Sequence, residues 1–239
     1  MTNCKSCNTE ISQNYCSDCG QASSLKRIDG HYIIHEIEHV LHFEKGILYT
    51  IKELLTNPGH TVRHFITENR NRLVKPVIFI IVTSLIYTLV NSFFHIEDSY
   101  VKFDETKQST TGLIFKWVQN HYGYANIIMG VFIAFWIKLF FRKYDYNFFE
   151  ILILLCFVMG IFMLIYAVIG ILVGITHLKI AQIGGMAGLV YCTWAIGQFF
   201  EKGKIINYIK AFASYMLGMI TFCISIVLIG ALIDLMIKH

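Results

Sequence analysis

Five long apolar runs dominate this chain, at about 77–96, 124–141, 150–175, 180–200 and 211–236. Each is close to the ~20 residues an α-helix needs to cross a hydrocarbon core. No water is present there to satisfy free backbone N–H and C=O groups, so runs of this kind become helices that satisfy their own backbone. The expected fold class is an all-α polytopic membrane protein with about five transmembrane helices. Composition agrees: 55% of the 239 residues are hydrophobic and only 15% are charged, against roughly 25% charged in a soluble domain. Pro76 suits the first helical position of the first span. The run at 124–141 is the shortest and carries Lys138 near its end. Runs three and five are long enough to tilt or to extend past the bilayer.

The second constraint lies at the other end of the chain. Cys4-Lys5-Ser6-Cys7 and Cys16-Ser17-Asp18-Cys19 are two Cys-x-x-Cys knuckles, eight residues apart, followed by Gly20. Four thiolates at this spacing can close a tetrahedral site, and a structural Zn2+ would fold a segment with almost no core of its own. Residues 1–20 are therefore expected to be a small Cys4 zinc ribbon. The ligands must be reduced, which places the N-terminus in the cytosol. Residues 1–27 carry cysteines and polar side chains where a signal peptide would have its apolar stretch. The remaining cysteines, Cys156, Cys192 and Cys223, stand in apolar runs and read as small buried hydrophobes.

Lys and Arg give the orientation independently. With five spans and a cytosolic N-terminus, fifteen basic residues fall on the cytosolic side and five on the other: Lys102, Lys107, Lys116, Lys179 and Lys238. The C-terminus is then expected outside. The predicted location is a bacterial cytoplasmic (inner) membrane. In the outer loop 97–123, Leu113, Ile114, Trp117 and Val118 suit a short interfacial helix.

Between the ribbon and the first span, residues 21–76 read as a polar linker and amphipathic helices. Ile33, Ile34, Ile37, Val40 and Leu41 share one helical face. Ile47, Leu48, Ile51, Leu54 and Leu55 continue the pattern after Gly46. Asn57-Pro58-Gly59 is a turn, and 60–72 is a second short helix with Val62, Phe65 and Ile66 inward. These helices should lie on the membrane surface or pack on the cytosolic ends of the spans. Arg63, Arg70, Arg72 and Lys75 approach the bilayer where anionic headgroups would attract them. The lipid bilayer is thus one partner. This placement of basic residues is explained by topology and lipid, and no nucleic acid is expected.

The sharpest catalytic pattern is His35-Glu36-Ile37-Glu38-His39, which satisfies the His-Glu-x-x-His pattern of zinc metalloproteases. On a helix His35 and His39 share a face, with Glu36 as general base. His31 and His42 extend the stripe, and His35, His39 and His42 form a candidate second metal site. A third ligand would come from Glu53, His60, His64 or Glu68. Against a hydrolase stand the charged Glu38, the missing downstream Gly and His of the metzincin pattern, and a region 29–75 too short for a usual cleft. A transporter usually carries an ionisable residue at mid-membrane. Here Lys138, Glu150 and Asp234 all fall near span ends, and the polar Asn126 and Gln198 are not sufficient to supply such a site. Gly170-x-x-x-Gly174 and Gly184-x-x-x-Gly188 read as helix-packing positions.

Taken together, these features resemble an uncharacterised bacterial family of small zinc-ribbon polytopic membrane proteins, a domain of unknown function. The residues that carry the resemblance are the four cysteines, the stretch His35 to His42, Gly46-Ile47-Leu48-Tyr49-Thr50, Pro58-Gly59, Arg70 and Arg72, and Lys75-Pro76. One departure is Glu68-Asn69-Arg70-Asn71-Arg72, where a Gly followed by an adjacent basic pair is the family's pattern. The resemblance covers residues 1–80 and implies the architecture, not an activity. The leading functional reading is a membrane protein whose cytosolic zinc module binds a protein partner, as an adaptor, assembly factor or sensor. The alternatives are a membrane metallohydrolase using His35, Glu36 and His39, and a small-solute transporter. An enzyme is the less favoured class.

Overall fold

A computed structural model of the chain describes residues 2–3, 9–11, 17–18, 46–70, 72–94, 110–176 and 181–237. Two compact units emerge, Met1–Glu44 and Lys45–His239. In the first unit, β1 (Thr2–Asn3) pairs antiparallel with β2 (Glu10–Ile11), Thr2 opposite Ile11 and Asn3 opposite Glu10. Thr9 Oγ1 donates to Asp18 Oδ2 at 2.8 Å. This two-stranded pairing adds a small sheet to a chain that is otherwise helical among the described residues.

The second unit is a helical bundle. Its helices are α1 (Ile47–Thr56), α2 (Pro58–Thr67), α3 (Pro76–Phe94), α4 (Thr110–Asn120), α5 (Tyr122–Phe140), α6 (Phe148–Thr176), α7 (Ala181–Glu201) and α8 (Ile205–Ile237). Among the described residues α3, α6, α7 and α8 are long and apolar enough to cross a membrane; α5 is a shorter apolar helix. Many large apolar side chains point outward from these helices, among them Leu85, Leu89, Phe135, Val190 and Leu228. A soluble monomer rarely exposes so large an apolar surface, whereas a bilayer solvates it. The protein is a multi-pass helical membrane protein.

Packing contacts fix the helix directions. A Cβ on Gly160 would lie 2.6 Å from the Phe79 ring, and one on Gly174 would overlap Phe94. Both pairs advance together, so α3 and α6 run parallel. Gly188 faces Phe162 and Gly184 faces Ile169, so α7 runs antiparallel to α6. Gly218 of α8 lies on Ile133 of α5, and Lys210 Nζ donates to Phe140 O at 3.4 Å, so these two are also antiparallel. The chain must return between the parallel neighbours α3 and α6, and α5 makes that return. Packing was the expectation for the glycine pairs, and the contacts agree. Gly184 and Gly188 admit α6, while Gly174 admits α3 instead of α7.

The core runs the length of the bundle, with Phe79, Ile133, Phe157, Cys192, Phe199 and Tyr215 fully buried. Cys192 fits the expectation for a buried thiol, Cys156 is half-buried and Cys223 is exposed on the outer face of α8. The three charged residues flagged near span ends all have partners. Lys138 Nζ donates to Tyr146 O at 2.5 Å. Glu150 and Asn147 exchange backbone-to-side-chain hydrogen bonds at 2.7 and 2.9 Å, a reciprocal cap on α6. Asp234 accepts from both the N–H and the hydroxyl of Thr110, the first residue of α4. A carboxylate at this position favours the positive end of the helix dipole.

The predicted helix over 60–72 is shorter, ending at Thr67. Leu73 and Val74 are buried on the approach to α3, and Val74 N–H donates to the buried Thr50 hydroxyl at 3.2 Å. That bond needs extended chain where a longer helix would have continued. The inward face of α1 also differs from the expected one. Thr50 and Leu54 are buried, while Leu48 and Leu55 are exposed seven residues apart on one face.

Candidate functional site

The α1–α2 hairpin is built into one end of the bundle and creates a polar concave surface there. Pro58, with no N–H to lose, opens α2 immediately after Asn57. Gly59 then comes so close to α7 that an added Cβ would lie 2.4 Å from the carbonyl carbon of Gln198. Only glycine permits that approach. Its N–H donates to Gln198 Oε1 at 3.1 Å, in a buried position. Tyr191 OH donates to Leu54 O at 3.0 Å, also buried. Arg63 Nη1 reaches the carbonyls of Gln198 and Phe199 at 2.7 and 2.5 Å, near the C-terminus of α7. A guanidinium there satisfies carbonyls that the helix leaves open and complements the negative end of its dipole. Phe65 packs edge-on against Phe157 with centroids 5.3 Å apart. Val62, Phe65 and Ile66 are buried, in line with the sequence pattern.

On its outer side the hairpin forms a cleft of about 60 Å3. Glu53, His60, Thr61, His64, Asn69 and Arg72 supply its polar wall; Phe65 and Leu73 supply the apolar part. Arg72 Nη2 stands 3.7 Å from Glu53 Oε2, its Nε donates to Tyr49 OH, and its guanidinium lies over the Tyr49 ring. His64 Nε2 lies 3.2 Å from Glu68 Oε2, and the His60 and His64 rings are 6.1 Å apart. The same end of the bundle carries a polar latch between the α5–α6 loop, the end of α7 and the start of α8. Tyr144 OH donates to Glu201 Oε2 at 2.9 Å, and Asn207 Nδ2 donates to Tyr144 OH at 3.0 Å. Burial pushes the nearby Tyr146 phenol up, with the Arg63 charge pulling the other way.

Several residues singled out from sequence lie outside the described residues: Cys4, Cys7, Cys16 and Cys19, and His31, His35, Glu36, His39 and His42. Of the candidate third ligands, Glu53, His60 and His64 share the cleft and Glu68 pairs with His64. No three His, Cys, Asp or Glu side chains among the described residues are arranged to hold a metal ion. Of the four basic residues, Arg63 is committed to α7, Arg72 sits in the cleft wall, Arg70 reaches Ile66 O at 3.4 Å, and Lys75 is exposed. Sequence reasoning weighed Gln198 only against a transport role and passed over Tyr191. Their partners are backbone groups of a distant hairpin, and no local pattern announces such contacts.

A scan of protein families matches residues 44–88 to a family described as a protein of unknown function, DUF3667. The match takes in α1, α2 and α3 as far as Thr88, so this part of the chain is similar to that family in the very segment that carries the docked hairpin. No curated protein matches the chain, and no solved structure does.

Proposed function

We propose that the protein is a membrane-anchored adaptor or sensor of the bacterial inner membrane. Its N-terminal unit binds a cytosolic protein partner, and the α1–α2 hairpin couples that unit to a five-span bundle. The observation that carries this reading is the docking of the hairpin. The hairpin follows the N-terminal unit in sequence, and it is held by buried hydrogen bonds to α7. A hairpin so held transmits force from the unit to the bundle in a way that a loose linker would not.

Cys4, Cys7, Cys16 and Cys19 would hold a structural Zn2+, which would supply folding energy and no catalysis. Two contacts support this fit. Asn3, next to Cys4, pairs with Glu10, and Asp18, next to Cys19, bonds Thr9, so the neighbours of both knuckles converge. The fifth span would be α5, a reading supported by the parallel packing of α3 and α6. An N-terminus in the cytosol is supported by charge. Arg63, Arg70, Arg72, Lys75, Arg142, Lys143, Lys202, Lys204 and Lys210 all gather at the hairpin end, and Lys116 is the described basic residue at the other.

The test is zinc content and partner capture with the full chain. The expected result is one zinc per chain in wild type and in a His35→Ala/His39→Ala variant, and none in Cys4→Ser, with a set of captured proteins lost alongside the metal. Identical partners with and without Cys4→Ser would overturn the adaptor reading. A second zinc that vanishes in the histidine variant would move the reading to a metallohydrolase.

A further inference from the structure

The cleft on the hairpin carries a balanced pair of charges. Arg72 and Glu53 stand side by side in its wall, 3.7 Å apart. That separation is long beside the 2.7–2.9 Å of a tight charge-assisted hydrogen bond. Each group therefore keeps bonding capacity for a third party. A lone anion would gain from Arg72 but meet the Glu53 carboxylate; a lone cation would meet the reverse. A zwitterion satisfies both. At about 60 Å3 the cleft exceeds the ~10–15 Å3 that admits one water, so it has room for a polar headgroup. His60 and Asn69 line the same cleft.

The surroundings point to lipid as the source of that zwitterion. Leu48 and Leu55 form an exposed apolar face on α1. Val77, four residues beyond the cleft's Leu73, is an exposed apolar side chain in the first turn of α3, and Ile81 and Leu85 continue outward along that helix. Polar cleft and apolar helix surface thus follow one another along the chain, as headgroup and acyl layers do in a bilayer.

We propose that this cleft binds the headgroup of a zwitterionic phospholipid with a primary ammonium, its phosphate toward Arg72 and His60 and its ammonium toward Glu53. The proposal concerns the hairpin alone and stands whether or not the N-terminal unit holds zinc. The experiment is native mass spectrometry of the full chain in detergent, with phosphatidylethanolamine, phosphatidylglycerol or phosphatidylcholine added in equal amounts. Wild type should retain one phosphatidylethanolamine about tenfold more than either competitor, the discrimination expected from one hydrogen-bonded charge. Glu53→Gln, which keeps the shape and removes the charge, should bring the ethanolamine-to-glycerol ratio to about one. Arg72→Gln should weaken all three lipids. Lys204→Gln, which alters an exposed ion pair with Glu201, should change nothing. Equal retention of phosphatidylglycerol by wild type, or an unchanged ratio in Glu53→Gln, would overturn the proposal. Displacement of the bound lipid by millimolar inorganic phosphate would also overturn it and identify a free-anion site. Circular dichroism and gel filtration separate a lost site from a lost fold, and the nearly isosteric Glu53→Gln carries the test if Arg72→Gln fails to fold.

Discussion

Gly59→Ala should undock the α1–α2 hairpin. The added methyl would lie 2.4 Å from the Gln198 carbonyl carbon, 2.5 Å from its oxygen and 2.6 Å from the Phe199 nitrogen. All three are backbone atoms of α7, and no rotamer change can move them away. Carbon atoms pack at about 3.5–4.0 Å, so α2 must retreat by roughly 1 Å. Strain of this kind costs about 1–3 kcal/mol. Retreat also stretches the Gly59–Gln198 hydrogen bond, worth about 1 kcal/mol, and loosens the Arg63 contacts with α7. A combined loss of about 3 kcal/mol corresponds to roughly a hundredfold rise in the open population of the hairpin. Hydrogen exchange in lipid nanodiscs reads this directly, because protection of amides 47–67 follows the free energy of local opening. Those amides should exchange about a hundredfold faster, with α6 and α8 little changed. Gly203→Ala is the matched control, since nothing lies within 4 Å of its added Cβ. Unchanged protection of α1 and α2 in Gly59→Ala would refute the argument that close approach of backbone holds the hairpin.

Two further outcomes follow from the same packing. Phe157→Ala removes a fully buried ring that touches both Phe65 and Phe79, and should cost about 4 kcal/mol, read as a lower thermal midpoint in detergent; a midpoint within 1 °C of wild type, on the order of 0.5 kcal/mol or less, would contradict it. Asp234→Asn weakens the carboxylate cap on α4 and should cost about 1 kcal/mol, seen as roughly fivefold faster exchange of the α4 amides; exchange equal to wild type would show the cap to be idle.

The spans were legible because burial in lipid imposes length and apolarity on each segment separately. The structural bounds of α3, α6 and α7 fall within two residues of those read from the apolar runs; α8 starts earlier, at Ile205. That early turn joins Ile205 and Ile209, which are exposed, to Lys204 and Lys210, so its hydropathy is diluted by charge while its backbone stays helical. The face of α1 was less legible, because five apolar residues of Ile47–Leu55 fit one amphipathic stripe on paper. The structure divides them between two surfaces. A polar residue, Thr50, takes a fully buried position beside Leu54, its hydroxyl accepting the Val74 N–H on the way into α3. The cleft was readable only as a set of residue types. Glu53, His60, His64 and Glu68 were grouped for metal chemistry, but Arg72, the partner of Glu53, comes from a stretch beyond α2 whose path no periodicity specifies.

The hairpin itself has a cause in helix lengths. α3 has 19 residues and α6 has 29, and the two run parallel. They are in register at the far end, where Phe94 meets Gly174, the third residue from the end of α6. At the hairpin end Phe79, in the first turn of α3, faces Phe157 and Gly160. Phe157 is nine residues into α6, about 14 Å from its start at 1.5 Å per residue. The first turns of α6 therefore have no α3 beside them. Ile151, Leu154 and Leu155 lie in those turns and are nonetheless buried. The α1–α2 hairpin contacts α6, with Phe65 and Phe79 both meeting Phe157, at centroid distances of 5.3 and 5.7 Å. A short first span and an amphipathic hairpin just before it are thus two parts of one packing solution. Lengthening α3 toward the hairpin end would compete with the hairpin for the same surface of α6.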